Sequence, residues 1–154
     1  MDRILSVFDI NLIKINIRAS DKNSLFEMMI DDLYQNGIIS EKESFLSAIK
    51  LREKELSTGI GYGIAIPHAR HEVVKEMKAV IYMLSQELEY GSLDEKPVRI
   101  VVMLAIPKIA SMEYMKMLGV ISKDLHDQKE RESLLLCEDK EKILNFFKRM
   151  QDES

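Results

Sequence analysis

The run Ile100-Val101-Val102-Met103-Leu104-Ala105-Ile106, closed by Pro107, is apolar at every position. A strand with one wet face alternates polar and apolar residues. A strand apolar throughout must be covered on both faces. This segment therefore predicts a central strand, and a chain built round it needs a packing layer on each side of its sheet. The rest of the sequence supplies candidate layers. Ile13, Ile15 and Ile17 alternate with Lys14 and Asn16, the pattern of a half-buried strand. Ser20 or Asp21 then caps a helix carrying Leu25, Met28 or Met29, and Leu33, with Asn36-Gly37 as its stop. Ser40 and Glu43 read as a capping box for a second helix with Phe45, Leu46, Ile49 and Leu56, and Arg52 in its last turn. Ile64–Ile66, Met77–Leu84 and Val98–Ile106 read as strands. Ser111 to Leu125, and a segment from about Asp139, read as helices. The order β-α-α-β-β-β-α-α predicts an α/β fold, a three-layer sandwich of a mixed β-sheet with helices on both faces.

A length of 154 residues with 46% hydrophobic content suits one domain over residues 1–154. The charge-free run Ile100–Pro107 is far shorter than the roughly 20 apolar residues of a membrane span, so no membrane insertion is expected. A net charge of -4 argues against nucleic acid as a partner. The N-terminal stretch carries Asp2 and Asp9 and has no continuous apolar core, so it does not read as a secretory signal. The one cysteine, Cys137, forms no internal disulfide and excludes a four-thiolate zinc site. A cytoplasmic location is the expectation. Imidazole chemistry must use His68, His71 or His126.

Ser57-Thr58-Gly59-Ile60-Gly61-Tyr62-Gly63 reads as a loop, because glycine at every second position weakens any regular element. It lacks the Lys and Ser/Thr of a nucleotide-binding Walker loop, and it follows a helix where a dinucleotide loop would follow a strand. Without side chains in the way, its backbone N–H groups can approach an oxyanion, or the loop can be no more than a tight connection. Pro67 holds Ile66 extended and delivers His68 at a strand exit. A neutral imidazole there offers one nitrogen lone pair as nucleophile; the plain alternative is a structural histidine. His68, His71 and Glu72 also have the spacing of a metal set if Pro67 starts a helix, but no further ligand cluster accompanies them, so no metal and no cofactor is expected. His71 and His126 read as solvated surface residues, and exposed Tyr62 and Ile60 would suit a docking patch.

Arg52-Glu53-Lys54 followed by Ser57 through Ile64-Ala65-Ile66-Pro67-His68 resembles the signature of the type 2 enzyme IIA family, the fructose/mannitol/nitrogen branch of the bacterial phosphoenolpyruvate-dependent phosphotransferase system (PTS). The resemblance extends more weakly over almost the whole chain. It implies a mannitol/fructose enzyme IIA-like fold and a phosphoryl relay. The phosphocarrier HPr would donate to Nε2 of His68, and His68 would pass the group to an enzyme IIB component for sugar uptake. The family's conserved arginine maps onto Arg52, whose planar guanidinium suits phosphoryl oxygens. Thr58, Gly59, Gly61 and Gly63 are candidate phosphate-binding positions through their backbone N–H groups. Many members carry a second histidine where Met112-Glu113-Tyr114-Met115 stands here, so Tyr114 occupies that position with a hydroxyl in place of an imidazole, or simply packs. No pattern specifies the sugar or an oligomeric state. The alternative function is a nitrogen-PTS-like regulatory module, in which the phosphorylation state of His68 controls protein partners.

Overall fold

The computed structural model describes residues 7–110 and 112–153, with side chains throughout except at Glu113, Tyr114 and Glu153. The elements are β1 (Phe8–Ile17), α1 (Lys22–Gln35), α2 (Lys42–Glu55), β2 (Gly59–Gly61), β3 (Ile64–Ala65), β4 (His68–His71), β5 (Lys78–Leu88), β6 (Val98–Pro107), α3 (Met112–Leu125), α4 (Gln128–Leu135) and α5 (Lys140–Glu153). The strands form one mixed sheet in the order β1-β5-β6-β3-β2, with β4 also pairing β6. β1 runs parallel to β5, β5 antiparallel to β6, and β3 and β4 parallel to β6.

The apolar run is the central strand it was expected to be. Val101, Met103 and Ala105 of β6 enter one hydrophobic cluster with Leu25, Phe26 and Met29 of α1 and Phe45 and Ile49 of α2. Ile100, Val102, Leu104 and Ile106 enter the other, with Met117 and Ile121 of α3, Leu134 of α4, and Ile143, Phe146 and Phe147 of α5. Alternate side chains of one strand thus feed two cores, so neither face tolerates a polar residue. Each large buried side chain here contributes about 1.5–3 kcal/mol by leaving water.

Asp21 caps α1 by accepting from the Ser24 amide at 2.7 Å, and Asn36-Gly37 ends it, with Gly37 at φ +73°. The expected capping box on α2 does not form. Glu41 is the N-cap and makes no side-chain cap bond. Ser40 sits one residue too early, because its N–H donates to Val73 O at 3.0 Å while Ile39 bridges Val74. The strand alternation read for residues 13–17 holds through Ile15 and then breaks. Asn16 takes φ +60°, the register with β5 shifts, and Ile17 packs on the α1 face while Ile13 and Ile15 face α5. Ser111, read as the start of α3, lies outside the described residues.

Residues 64–71 are one strand in all but label. Ile64 pairs Ile100, Ala65 pairs Val101 and His68 pairs Leu104, so the register with β6 is unchanged across Pro67. Proline has no N–H to give the ladder, and that alone divides β3 from β4. Its carbonyl still accepts from the Leu104 amide at 2.9 Å.

Candidate phosphoryl-transfer site

The last turn of α2 carries Arg52 and Glu53. Arg52 Nη1 donates to Leu56 O at 2.8 Å, at the point where the chain leaves the helix. The guanidinium is thereby held at the helix end, where a cation is favoured. Glu53 turns the other way and is nearly buried. Its Oε2 accepts from Lys22 Nζ at 2.7 Å and from the Thr58 amide at 2.9 Å. Its Oε1 accepts from Thr58 Oγ1 at 2.6 Å. Burial opposes ionisation of Glu53, but the Lys22 ammonium and the Thr58 hydroxyl and amide outweigh it and hold the carboxyl below its ordinary value. Since the Thr58 hydroxyl spends its one proton on Glu53, the Tyr90 hydroxyl is the donor in its 2.6 Å bond to Thr58 Oγ1. Burial, then the nearby Glu53 charge, raises the Tyr90 phenol and keeps it protonated.

The glycine-rich segment, expected as a loop, is a hairpin of β2 and β3. Tyr62 and Gly63 at its turn have φ +60° and +79°, the two positive values that a tight two-residue hairpin demands. Gly59 is glycine for a different reason: a Cβ there would lie 2.9 Å from Ser92 Cα. Two of the amides read as candidate phosphate donors have partners within the chain. The Thr58 amide is bonded to Glu53, and the Gly59 amide to Ser57 Oγ at 3.1 Å. Gly61 and Gly63 lie at the far end of the hairpin. Gly61 faces Ile64, about four residue rises or roughly 13 Å up the strand from His68, too far to share a phosphoryl group with it.

His68 opens β4 and is half-buried. Its Nδ1 lies 2.9 Å from Ile66 O. A carbonyl only accepts, so Nδ1 bears the proton and Nε2 is left with its lone pair. Burial lowers the His68 pKa; the Ile66 carbonyl and the Glu53 charge oppose that, and the Arg52 charge adds to it. The result is an imidazole neutral at pH 7, with a fixed tautomer and a guanidinium within electrostatic reach. Tyr114 falls in the first turn of α3, and its side chain lies outside the described residues.

The other histidines separate from this site. His71 stands three residues along a strand from His68, hence on the opposite face, so the two do not form the pair that a helix would make. It is half-buried, and its Nδ1 accepts from the Val73 amide at 3.1 Å, so it is less solvated than expected. His126 is exposed but engaged: its ring meets Tyr62 edge-on at 6.0 Å, and Arg131 covers the same tyrosine at 3.9 Å. Tyr62 remains 59% exposed, as a docking residue would be, whereas Ile60 packs against the core. Among the described residues no group of three or more His, Cys, Asp or Glu side chains is placed to hold a metal ion. Nor is any described helix long and apolar enough to cross a membrane.

Comparison with known proteins finds matches over nearly the whole chain. The family model for the phosphoenolpyruvate-dependent sugar phosphotransferase system, EIIA 2, matches residues 6–150. The PTS system fructose-specific EIIA component of Haloferax volcanii is 26% identical, with 91% of each chain covered. A fructose-specific EIIABC component of Bacillus subtilis is 30% identical over 94% of this chain, which corresponds to 23% of that longer protein. Among solved structures, the nitrogen regulatory protein IIA-Ntr of Neisseria meningitidis superposes with a TM-score of 0.84 at 26% identity, covering 92% of this chain and 96% of that one. Mannitol IIA of Escherichia coli shares the fold, with a TM-score of 0.73 at 21% identity over 90% of this chain and 97% of that one.

Proposed function

The chain belongs to the EIIA type 2 family of the phosphoenolpyruvate-dependent sugar phosphotransferase system, and from that premise we propose that it is a phosphocarrier whose acceptor atom is His68 Nε2. HPr, phosphorylated on histidine, is the donor and an enzyme IIB component the recipient. All of residues 1–154 serve as one EIIA domain. The observation that carries the reading is the 2.9 Å bond from Nδ1 to Ile66 O, which leaves Nε2 as the free nucleophile. In the transfer, the P–N bond to the donor imidazole breaks and its electron pair stays on the donor ring. A P–N bond forms at Nε2 of His68, and the Nδ1 proton does not move. The ring gains positive charge as that bond forms, and the Ile66 carbonyl faces that charge. Arg52 answers the charge on the transferred oxygens, since phosphoryl transfer is mainly positioning and electrostatic stabilisation. No metal or nucleotide takes part, because the donor is already activated. A solved complex of mannitol enzyme IIA with phosphorylated enzyme IIB, sharing this fold, supports a IIB partner.

The test is incubation with phosphoenolpyruvate, enzyme I and HPr, followed by intact mass. We expect one added phosphoryl group on the wild type and none on His68→Ala. An unshifted wild type, or a shifted His68→Ala, overturns the assignment. Arg52→Ala is expected to slow transfer with the fold intact; undiminished transfer removes Arg52 from the mechanism.

A regulatory reading is favoured by the likeness to IIA-Ntr and by a nitrogen regulatory protein of Bradyrhizobium diazoefficiens, 32% identical over 60% of this chain. Tyr114, where many relatives have a second histidine, points the same way. Phosphoryl transfer to a purified IIB component favours transport. Binding to another protein that switches with phosphorylation, without such transfer, favours regulation.

A further inference from the structure

The mechanism so far leaves one buried charge without a task. Glu53 side-chain exposure is only 8%, and a carboxylate is costly to bury unless its lone pairs are all answered. Here donors from two parts of the chain answer them, Lys22 of α1 and the amide and hydroxyl of Thr58, and Tyr90 beyond β5 backs the Thr58 hydroxyl at 2.6 Å with its own oxygen 3.3 Å from Oε1. An anchor for Lys22 alone would need one oxygen.

The bonds continue toward the histidine. The Thr58 amide donates to Glu53 at 2.9 Å, and the Thr58 carbonyl accepts from the Ile66 amide at 2.9 Å. The Ile66 carbonyl accepts from His68 Nδ1, again at 2.9 Å. The residue before Glu53 is Arg52, on the same helix turn.

We propose that Glu53 is the positioning residue of the phosphoryl site, a buried carboxylate that ties the helix turn carrying Arg52 to the strand carrying His68 through this chain of hydrogen bonds, and so sets Nε2 against the guanidinium. The inference rests on reading His68 as the phosphoryl acceptor. Glu53 touches neither the phosphoryl group nor the reacting nitrogen. It acts through Thr58 and Ile66, and the Lys22 ammonium keeps its charge from repelling an incoming dianion. That charge also acts on the imidazole in the same sense as the Ile66 carbonyl, favouring the cationic ring that phosphorylation creates.

The experiment uses the full chain and the variants Glu53→Gln and Glu53→Asp, with circular dichroism to establish folding. Two quantities are read: the initial rate of phosphorylation from phospho-HPr by intact mass, and the His68 titration by NMR. Glu53→Gln should slow transfer roughly tenfold or more, as misplacement of a reacting group does, and should move the His68 titration to lower pH. Glu53→Asp, which keeps the charge, should recover part of that titration shift. A folded Glu53→Gln protein with a rate within twofold of wild type, or an unmoved His68 titration, overturns the proposal. If Glu53→Gln does not fold, Glu53→Asp decides: it keeps the charge but shortens the reach to the Thr58 amide, so transfer should slow while the titration stays near the wild-type value, and an unchanged rate overturns the proposal. A wild type that takes up no phosphoryl group refutes the function instead. The NMR titration then still judges Glu53.

Discussion

On the face covered by α1 and α2, the core contains hydroxyls bonded to carboxylates; on the face covered by α3, α4 and α5, the cluster is aliphatic residues, methionines and phenylalanines. The first face holds Tyr82 bonded to Asp32, and the Tyr90–Thr58–Glu53 group. The second holds Phe8, Phe146 and Phe147 with rings 5.2 Å apart in sequence of contact. Apolar packing is strong but has little directional preference, whereas hydrogen bonds fix angles and distances. The hydrogen bonds that reach the His68 ring therefore start on the α1/α2 face, and the other face supplies cohesion.

The largest test of this division is Phe147→Ala. It should cost about 3–5 kcal/mol in urea unfolding and leave the His68 titration where it is; a moved titration would break the division. Gly59→Ala should cost about 1–3 kcal/mol by overpacking against Ser92, whose Oγ would stand 2.3 Å from the new Cβ. It should also slow phosphoryl transfer, because Gly59 adjoins the Thr58 link. Tyr82→Phe removes one hydrogen bond from Asp32, which keeps Lys14 at 3.0 Å. A loss of about 1 kcal/mol in thermal or urea unfolding is expected, with transfer unchanged, since this polar group is separate from the Glu53 chain. An effect on transfer there would make the whole face, rather than one chain of bonds, the positioning element.

The smallest effect expected is that of pH on transfer. An ordinary histidine is half protonated at pH 6.5, but the folded His68 value lies lower. The rate should therefore stay level from pH 8 to 6.5 and fall only as pH drops through the lowered value. Unfolded protein binds the proton first, so His68 lowers stability over that acid window. Glu53 has the opposite role at lower pH. Its stabilisation is fully present above its unfolded value of 4.5 and is lost as pH falls through its lower folded value. Unfolding of Glu53→Gln should therefore depend less on pH in that range than wild type.

Sequence periodicity revealed what burial imprints on neighbours in the chain. β6 and the helices α1, α2, α3 and α5 were legible because their apolar positions recur. α4 was missed: among its residues only Leu134 is buried, so no stripe marks it. β2 and the turn that joins it to β3 read as loop because their glycines serve the turn and the close approach to Ser92, both set by three-dimensional contacts. Within the site, the Arg52 and His68 positions stood out by their motif. The role proposed for Glu53 did not, because its partners Lys22 and Tyr90 are distant in sequence. The adjacency of Arg52 and Glu53 just before the glycine segment was the one available signal. The spacing of His68 and His71 makes a pair only on a helix, and β6 imposes a strand there.

One bond in this site has a consequence beyond chemistry. β4 pairs with β6 and with no other described strand, so its far side is a sheet edge. Free edges invite strand addition from another chain, which leads to self-association. The Ile66 carbonyl points to that side, and the histidine ring closes over it. Further along β4, Arg70 is exposed and donates to Lys108 O, just beyond the end of β6. The residue proposed as phosphoryl acceptor thus also lies at the rim of the sheet, so His68→Ala is expected to self-associate more readily than wild type in light scattering, and equal scattering removes that role.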